Sequence, residues 1–235
     1  SQVNAYDASL TRSLPTSLST AKSELAATTV GNYALFGGGY SSSGSNSLVD
    51  AYDTSLTRST PTALSEYRYN LAATTVGNYA LFGGGYPTCS VVDAYNTSLT
   101  RSTPTALSAA RTKLAATTVG DYALFGGGLG TSGYSATVDA YNASLTRTTP
   151  TALSVGRSEL AATAVGNYAL FGGGGRSSML DTVDVYDANL TRSVPTGLSV
   201  ARSQLAATTI GNYAMFGGGV YTGSGSNAVD VYTVD

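Results

Sequence analysis

Five basic residues, Lys22, Arg68, Arg111, Arg157 and Arg202, each stand three positions before a leucine that opens an apolar run. Gathered at one place they would hold a carboxylate, a sulfate or a phosphate, because guanidinium forks match such oxyanions. The competing use is structural, as salt bridges or contacts with backbone carbonyls. Glu24, Glu66 and Glu159 lie beside the series and weaken its field. A second set offers different chemistry. Tyr40, Tyr67, Tyr69, Tyr86, Tyr134 and Tyr221 lie in segments rich in Ser, Gly, Thr and Asn, as does Arg176. Tyrosine supplies a large rigid contact area with a hydroxyl at its tip, which suits recognition surfaces. Its competing use is to cover loop backbone or fill gaps. These twelve residues are the candidate ligand-binding set.

Other chemistry is excluded by composition. The chain has no histidine, so a Ser-His-Asp triad, a Cys-His dyad and a His-ligated metal are ruled out. One cysteine, Cys89, permits neither an intrachain disulfide nor a multi-Cys zinc site, and it reads as a labelling handle on a variable segment. No catalytic residue, metal or cofactor is therefore assigned. Charged residues make up 11% of the chain and the net charge is −2, which argues against a nucleic-acid partner. No apolar run approaches the roughly 20 residues of a membrane span, so no membrane partner is expected.

The elements that position these residues are repeated. The string FGGG begins at Phe36, Phe82, Phe125, Phe171 and Phe216, at intervals of 46, 43, 46 and 45 residues. The string LTR begins at Leu10, Leu56, Leu99, Leu145 and Leu190 with the same spacing. Each repeat reads as four short segments. Segment A is LAATTV, segment B is YALFGGG, and the Gly-Asn between them signals a two-residue hairpin. Segment C is VDAY. Segment D is SLTRSTPT, Ser98 to Thr105, and its proline cannot donate to a ladder, so D belongs at a sheet edge. Nothing has helical period or length.

Five copies of A, B and D and six of C are present, one C more than five sheets need. A single four-stranded sheet cannot bury both faces, whereas stacked copies can. The phenylalanines read as packing between sheets. Arg12, Arg58, Arg101, Arg147 and Arg192 of segment D read as structural partners for Asp50, Asp93, Asp139, Asp184 and Asp230 of segment C. Differences between the copies concentrate in two stretches, the B–C loops and the D–A connections. All six out-of-register tyrosines lie there, while the other eleven keep register. The Asn-X-Ser/Thr matches at Asn96, Asn142 and Asn189 fall in the uniform C–D turn and read as turn chemistry.

Ala80-Leu81-Phe82-Gly83-Gly84-Gly85, a variable loop and a Val-Asp-Ala-Tyr strand together resemble the kelch repeat of β-propellers. The likeness spans the whole chain and departs from the family in lacking a tryptophan in the fourth strand. It implies an all-β fold: a five-bladed propeller of four-stranded antiparallel blades over residues 1–235, with strand A innermost and one blade closed by both termini. It also implies that the two variable stretches share one face. The expected function is a non-catalytic recognition module that binds a glycan or a protein through that face, in a setting such as surface-displayed adhesion. The alternative is an engineered or truncated repeat scaffold with no dedicated ligand. A glycoside-processing enzyme fits less well, because segment A carries no acid and only the loop residues Glu24, Glu66, Glu159 and Asp181 could serve. A closed ring predicts a monomer, and an incomplete one predicts an oligomer.

Overall fold

In the computed structural model, which describes residues 2–233, the chain contains strands and turns and no helix. The repeats form four antiparallel sheets of four strands, each in the order A-B-C-D. In the second sheet these strands are Ala72–Val76, Tyr79–Gly83, Val92–Asn96 and Arg101–Ser102. A fifth sheet has three strands, Ala206–Ile210, Tyr213–Gly217 and Val229–Thr233. A two-stranded ribbon, Ala5–Tyr6 with Arg12–Ser13, precedes the first sheet.

Local chemistry explains each sheet. The A–B hairpin turns on a glycine at positive φ, such as Gly77 at 51°, so that Val76 pairs with Tyr79. Strand D is an edge, as expected, but it is only two residues long and ends before the proline, which lies outside the ladder. The preceding leucine takes a left-handed conformation, with Leu99 at φ 59°, and that ends the ladder. The turn is held by a side chain: Asn96 Oδ1 accepts the N–H groups of Ser98 at 3.0 Å and Thr100 at 2.9 Å. Asp7, Asp53, Asn142 and Asp187 do the same in the other copies, which is the turn chemistry expected of these positions.

Consecutive sheets stack through their A strands, which abut, while the outer strands splay apart. Two features fix the junction. The first is a ring seated on a glycine. A Cβ on Gly37, Gly83, Gly126 or Gly172 would lie 2.7–2.8 Å from the ring of Phe82, Phe125, Phe171 or Phe216 in the next sheet, so only glycine admits it. Each ring also meets a tyrosine of its own strand C edge-on, with Phe125 and Tyr141 centroids 6.0 Å apart. The second is a threonine ladder, with Thr28 on Thr75, Thr74 on Thr118 and Thr163 on Thr209 at 2.8–2.9 Å. Thr75, Thr118 and Thr209 also donate to carbonyls of the preceding A strand. Ala164 stands at the fourth such position and has no hydroxyl to give.

The two ends of the stack differ from its middle. Ile210, Val229 and Val231 on the last sheet are 66%, 55% and 50% exposed, whereas their counterparts in the inner sheets are buried. Among the described residues no strand pairing joins the N-terminal ribbon to the fifth sheet.

Phe125 carries a whole junction, so Phe125→Ala is expected to cost about 3–5 kcal/mol in urea unfolding. A second expectation concerns alkali. The hydroxyls of Tyr95, Tyr141, Tyr186 and Tyr232 donate to the carbonyls of Thr62, Thr105, Thr151 and Thr196 at 2.7–2.9 Å. Burial first, then the adjacent aspartate, raises their pKa values, that of Tyr232 to about 12. A raised phenol stabilises the fold fully below the ordinary tyrosine value of about 10 and loses that contribution as pH climbs through its folded value. Calorimetric melting temperature should therefore fall from about pH 10 upward, with these rings ionising after the exposed tyrosines in absorbance titration.

Candidate functional site

The pairing places the A–B and C–D turns at one end of every sheet and the two variable stretches at the other. Antiparallel bridges tie each D–A connection to the B–C loop of its sheet: Ser23 to Tyr40, Tyr69 to Tyr86, Thr112 to Leu129, Ser158 to Gly175 and Ser203 to Val220. The two most variable stretches are thus displayed together, at the end opposite the turns. This is the candidate site, and it has three parts above a common floor.

The floor is made by the basic series, which does not ring the mouth. Arg68, Arg111, Arg157 and Arg202 are fully buried. Arg68 Nη2 lies 2.5 Å from Asp93 Oδ2, and its Nη1 donates to the carbonyls of Gly84 and Val91 at 2.7 and 2.8 Å. The pairs Arg111–Asp139, Arg157–Asp184 and Arg202–Asp230 repeat this at 2.6–2.8 Å. The other carboxylate oxygen accepts a backbone N–H and, from strand D, Arg101, Arg147 or Arg192 at 2.7–3.0 Å. Burial lowers the pKa of Arg111 and Arg157 and the facing aspartates oppose it, and guanidinium stays charged. The oxyanion-binding reading of these residues therefore gives way to the structural one: their Nη groups are spent on the sheet, and among the described residues each Nε is buried without a partner. Lys22 fills the same place more loosely. It sits 3.4 Å from Asp50 and donates to the Leu48 carbonyl, and burial lowers its pKa against the pull of Asp50.

The first part of the face is the axial mouth. Two residues beyond each basic residue come Glu24, Asn70, Lys113, Glu159 and Gln204, all with φ between 52° and 57°. The backbone N–H of Asn70 donates to Glu24, Lys113 to Asn70, Glu159 to Lys113 and Gln204 to Glu159, at 2.9–3.0 Å. This belt lines a cavity of about 380 Å³ floored by the leucines that follow. Asn70 Nδ2 donates to Glu24, Lys113 lies 2.5 Å from Glu159, and Gln204 donates to Glu159 at 3.2 Å. Burial pushes the Glu159 carboxyl up, but Lys113 and Gln204 outweigh it and hold it below the usual range. Of these five the sequence singles out only Glu24 and Glu159; the sign of the whole set is a position that varies in type directly before a leucine that does not.

The second part is an aromatic row. Tyr69 stands between Tyr40 and Tyr86, with ring centroids 5.1 Å from each. Tyr40 and Tyr86 are about half exposed, Tyr69 less, and Tyr67 of the same connection is 69% exposed. The third is a cleft of about 330 Å³ where Tyr134 and the exposed Arg176 meet Lys113 and Glu159. Tyr221 is half exposed on the last sheet, apart from both. Cys89 is buried, with its Sγ donating to Glu66 and its pKa raised chiefly by burial, so it is no accessible handle.

No protein-family model matches the chain, and no curated protein matches it either. Among the described residues no group of three His, Cys, Asp or Glu side chains could hold a metal ion, and no helix is long and apolar enough to cross a membrane.

The clamp under the face sets a measurable cost. Asp139→Asn leaves Arg111 charged and buried without its anion, and a loss of about 3–5 kcal/mol is expected in chemical denaturation. Arg147→Ala, which removes the partly exposed partner of the same aspartate, should cost less.

Proposed function

We propose that this chain is a non-catalytic recognition module on a kelch-like propeller scaffold, and that it binds a glycan through the variable face. The supporting observation is the Tyr40–Tyr69–Tyr86 row with Tyr67 beside it, offered to solvent on the face where every loop that differs between copies is gathered. Faces of sugar rings that carry C–H groups lie flat on such rings, while hydroxyls and serine-rich loops supply hydrogen bonds around them. The rings need little ordering on binding, because the bridges at Ser23–Tyr40 and Tyr69–Tyr86 already fix their backbone.

The absence of catalysis in this proposal rests on how the carboxyls are held. Glu159, the acid best placed in the mouth, is paired with Lys113 and kept ionised, which is the opposite of a general acid. Glu24 accepts from Asn70. In a five-bladed ring sealed by both termini, Arg12–Ser13 would leave Ala5–Tyr6 and pair with the outer edge of Val229–Thr233. The recognition face does not require that step.

The test is a glycan array probed with the intact chain, followed by Tyr67→Ala combined with Tyr86→Ala. The paired substitution should weaken capture of any array hit by about tenfold or more, a loss of about 1.4 kcal/mol. An array without hits, or capture unchanged in the variant, overturns the glycan reading.

A further inference from the structure

The cleft beside Tyr134 stands open at a position that holds a tyrosine in two other sheets. Where each connection bridges to its loop, Ser23 pairs with Tyr40, Tyr69 with Tyr86, and Ser158 with Gly175. The rings of Tyr40 and Tyr86 belong to the aromatic row, whereas Gly175 has no side chain and lines a cleft of about 330 Å³. Crowding does not demand this glycine. A Cβ there would meet nothing nearer than Ser203 Cβ at 3.7 Å, an ordinary contact.

Two kinds of unspent polar group line the cleft. The first is hydroxyl. Ser158 and Ser203 are buried, Ser177 and Ser178 are exposed, and all four contribute to its wall. The main chain of Ser158 exchanges hydrogen bonds with Gly175, and that of Ser203 with Val220. Among the described residues none of the four hydroxyls has a partner. Ser23 and Thr112, which occupy the place of Ser158 and Ser203 in other sheets, donate to the carbonyls of Tyr40 and Asn70.

The second is charge. Arg176 is the one basic residue in the five B–C loops. Lys22, Arg68, Arg111, Arg157 and Arg202 are paired with aspartates, but among the described residues Arg176 makes no ion pair and no side-chain hydrogen bond. Lys113 and Glu159 also line the cleft and offset one another at 2.5 Å, which leaves the Arg176 guanidinium as the uncompensated charge. Its loop is already folded: Gly175 bridges to Met179 as well as to Ser158, and the Arg176 N–H donates to the Ser178 carbonyl at 2.9 Å.

Building on the glycan reading of the variable face, we propose that this cleft is a subsite for a singly charged acidic sugar, whose carboxylate or sulfate ester pairs with Arg176. A guanidinium fork gives such an anion two parallel hydrogen bonds. Serine hydroxyls suit the sugar's own hydroxyls, since each both donates and accepts. Tyr134, about half exposed, offers a ring for an apolar sugar face. The preformed turn lowers the ordering cost of binding. Glu159 is taken by Lys113 and Gln204, which removes the carboxylate that a cationic ligand would need.

Titration calorimetry on the intact chain at low salt tests this with methyl glucuronide, glucose 6-sulfate and methyl glucoside. At least one of the two acids should bind about tenfold more tightly than the neutral glucoside, and added sodium chloride should shrink the advantage. The better acid identifies the anion. Arg176→Ala should erase the advantage, and Arg176→Lys should keep only part of it, because an ammonium cannot fork. Gly175→Tyr, which restores the residue found at positions 40 and 86, should block both acids. Arg176 is exposed and unpaired, so circular dichroism should be unchanged in its variants. A wild-type chain that binds neither acid, or neither more tightly than the glucoside, overturns the proposal. So does a folded Arg176→Ala chain that keeps the acid preference. Failure of the tyrosine row looks different: array capture indifferent to Tyr67→Ala with Tyr86→Ala, beside an acid preference lost in Arg176→Ala, removes the row and supports this cleft.

Discussion

A carboxylate with no access to water lies within each four-stranded sheet, and the rest of the architecture is arranged around it. Asp93 joins three parts of the chain that sequence separation would leave independent: the connection entering the sheet through the Ser65 N–H, the inner loop through Arg68, and the outer strand through Arg101. Isolating such an anion would cost several kcal/mol, and only a full set of donors offsets that. The outer strand is only two residues long, and the arginine clamp adds a charged contact to its short ladder. The first sheet tests the logic within one molecule. Lysine cannot fork, so Lys22 stands at 3.4 Å and Arg58 at 3.8 Å from Asp50, and the clamp there is looser.

The clamp organises a sheet but does not stack one on another. Stacking comes from the glycine triplets, whose role is spatial as much as conformational. The first glycine makes room for the next sheet's ring, and the two that follow take positive φ and bring the backbone to the carbonyls of the next repeat. Every one of the four junctions uses these same parts. On the last sheet Ile210, Val229 and Val231 are exposed, where the next sheet covers their counterparts in the inner sheets.

Much of the fold was legible because repetition multiplies weak signals. One Gly-Asn between apolar runs suggests a hairpin, whereas five in register leave little else. The identity of the strands follows from spacing, and so does the pairing of segment D arginines with segment C aspartates, which holds for Arg58, Arg101, Arg147 and Arg192 and not for Arg12; the gathering of the variable loops at one end is what the kelch resemblance implied. Ring closure did not follow, since a repeat defines a junction and leaves the angle between sheets to packing. The site was read less well. Arg68 and Asn70 lie two positions apart in the same connection, and sequence offers no sign that the first turns into the sheet while the second faces the axis. The left-handed conformation at Asn70 separates them, and Glu24, Lys113, Glu159 and Gln204 adopt it without being glycine. The partner that draws each arginine inward lies about two dozen residues away on strand C, and only the sheet brings them together.

That left-handed residue also explains how a uniform scaffold supports a varied surface. Its backbone is tied into the belt by N–H and carbonyl groups, which every residue type except proline provides, so its side chain is free to be Glu, Asn, Lys or Gln at no cost to the frame. The tyrosines use the same device, since Tyr40, Tyr69 and Tyr86 enter their bridges through main-chain atoms and leave their rings unspent. Main-chain anchoring of the loops therefore separates stability from recognition. The buried arginine and aspartate hold the shape, and the neighbouring positions can change without disturbing them.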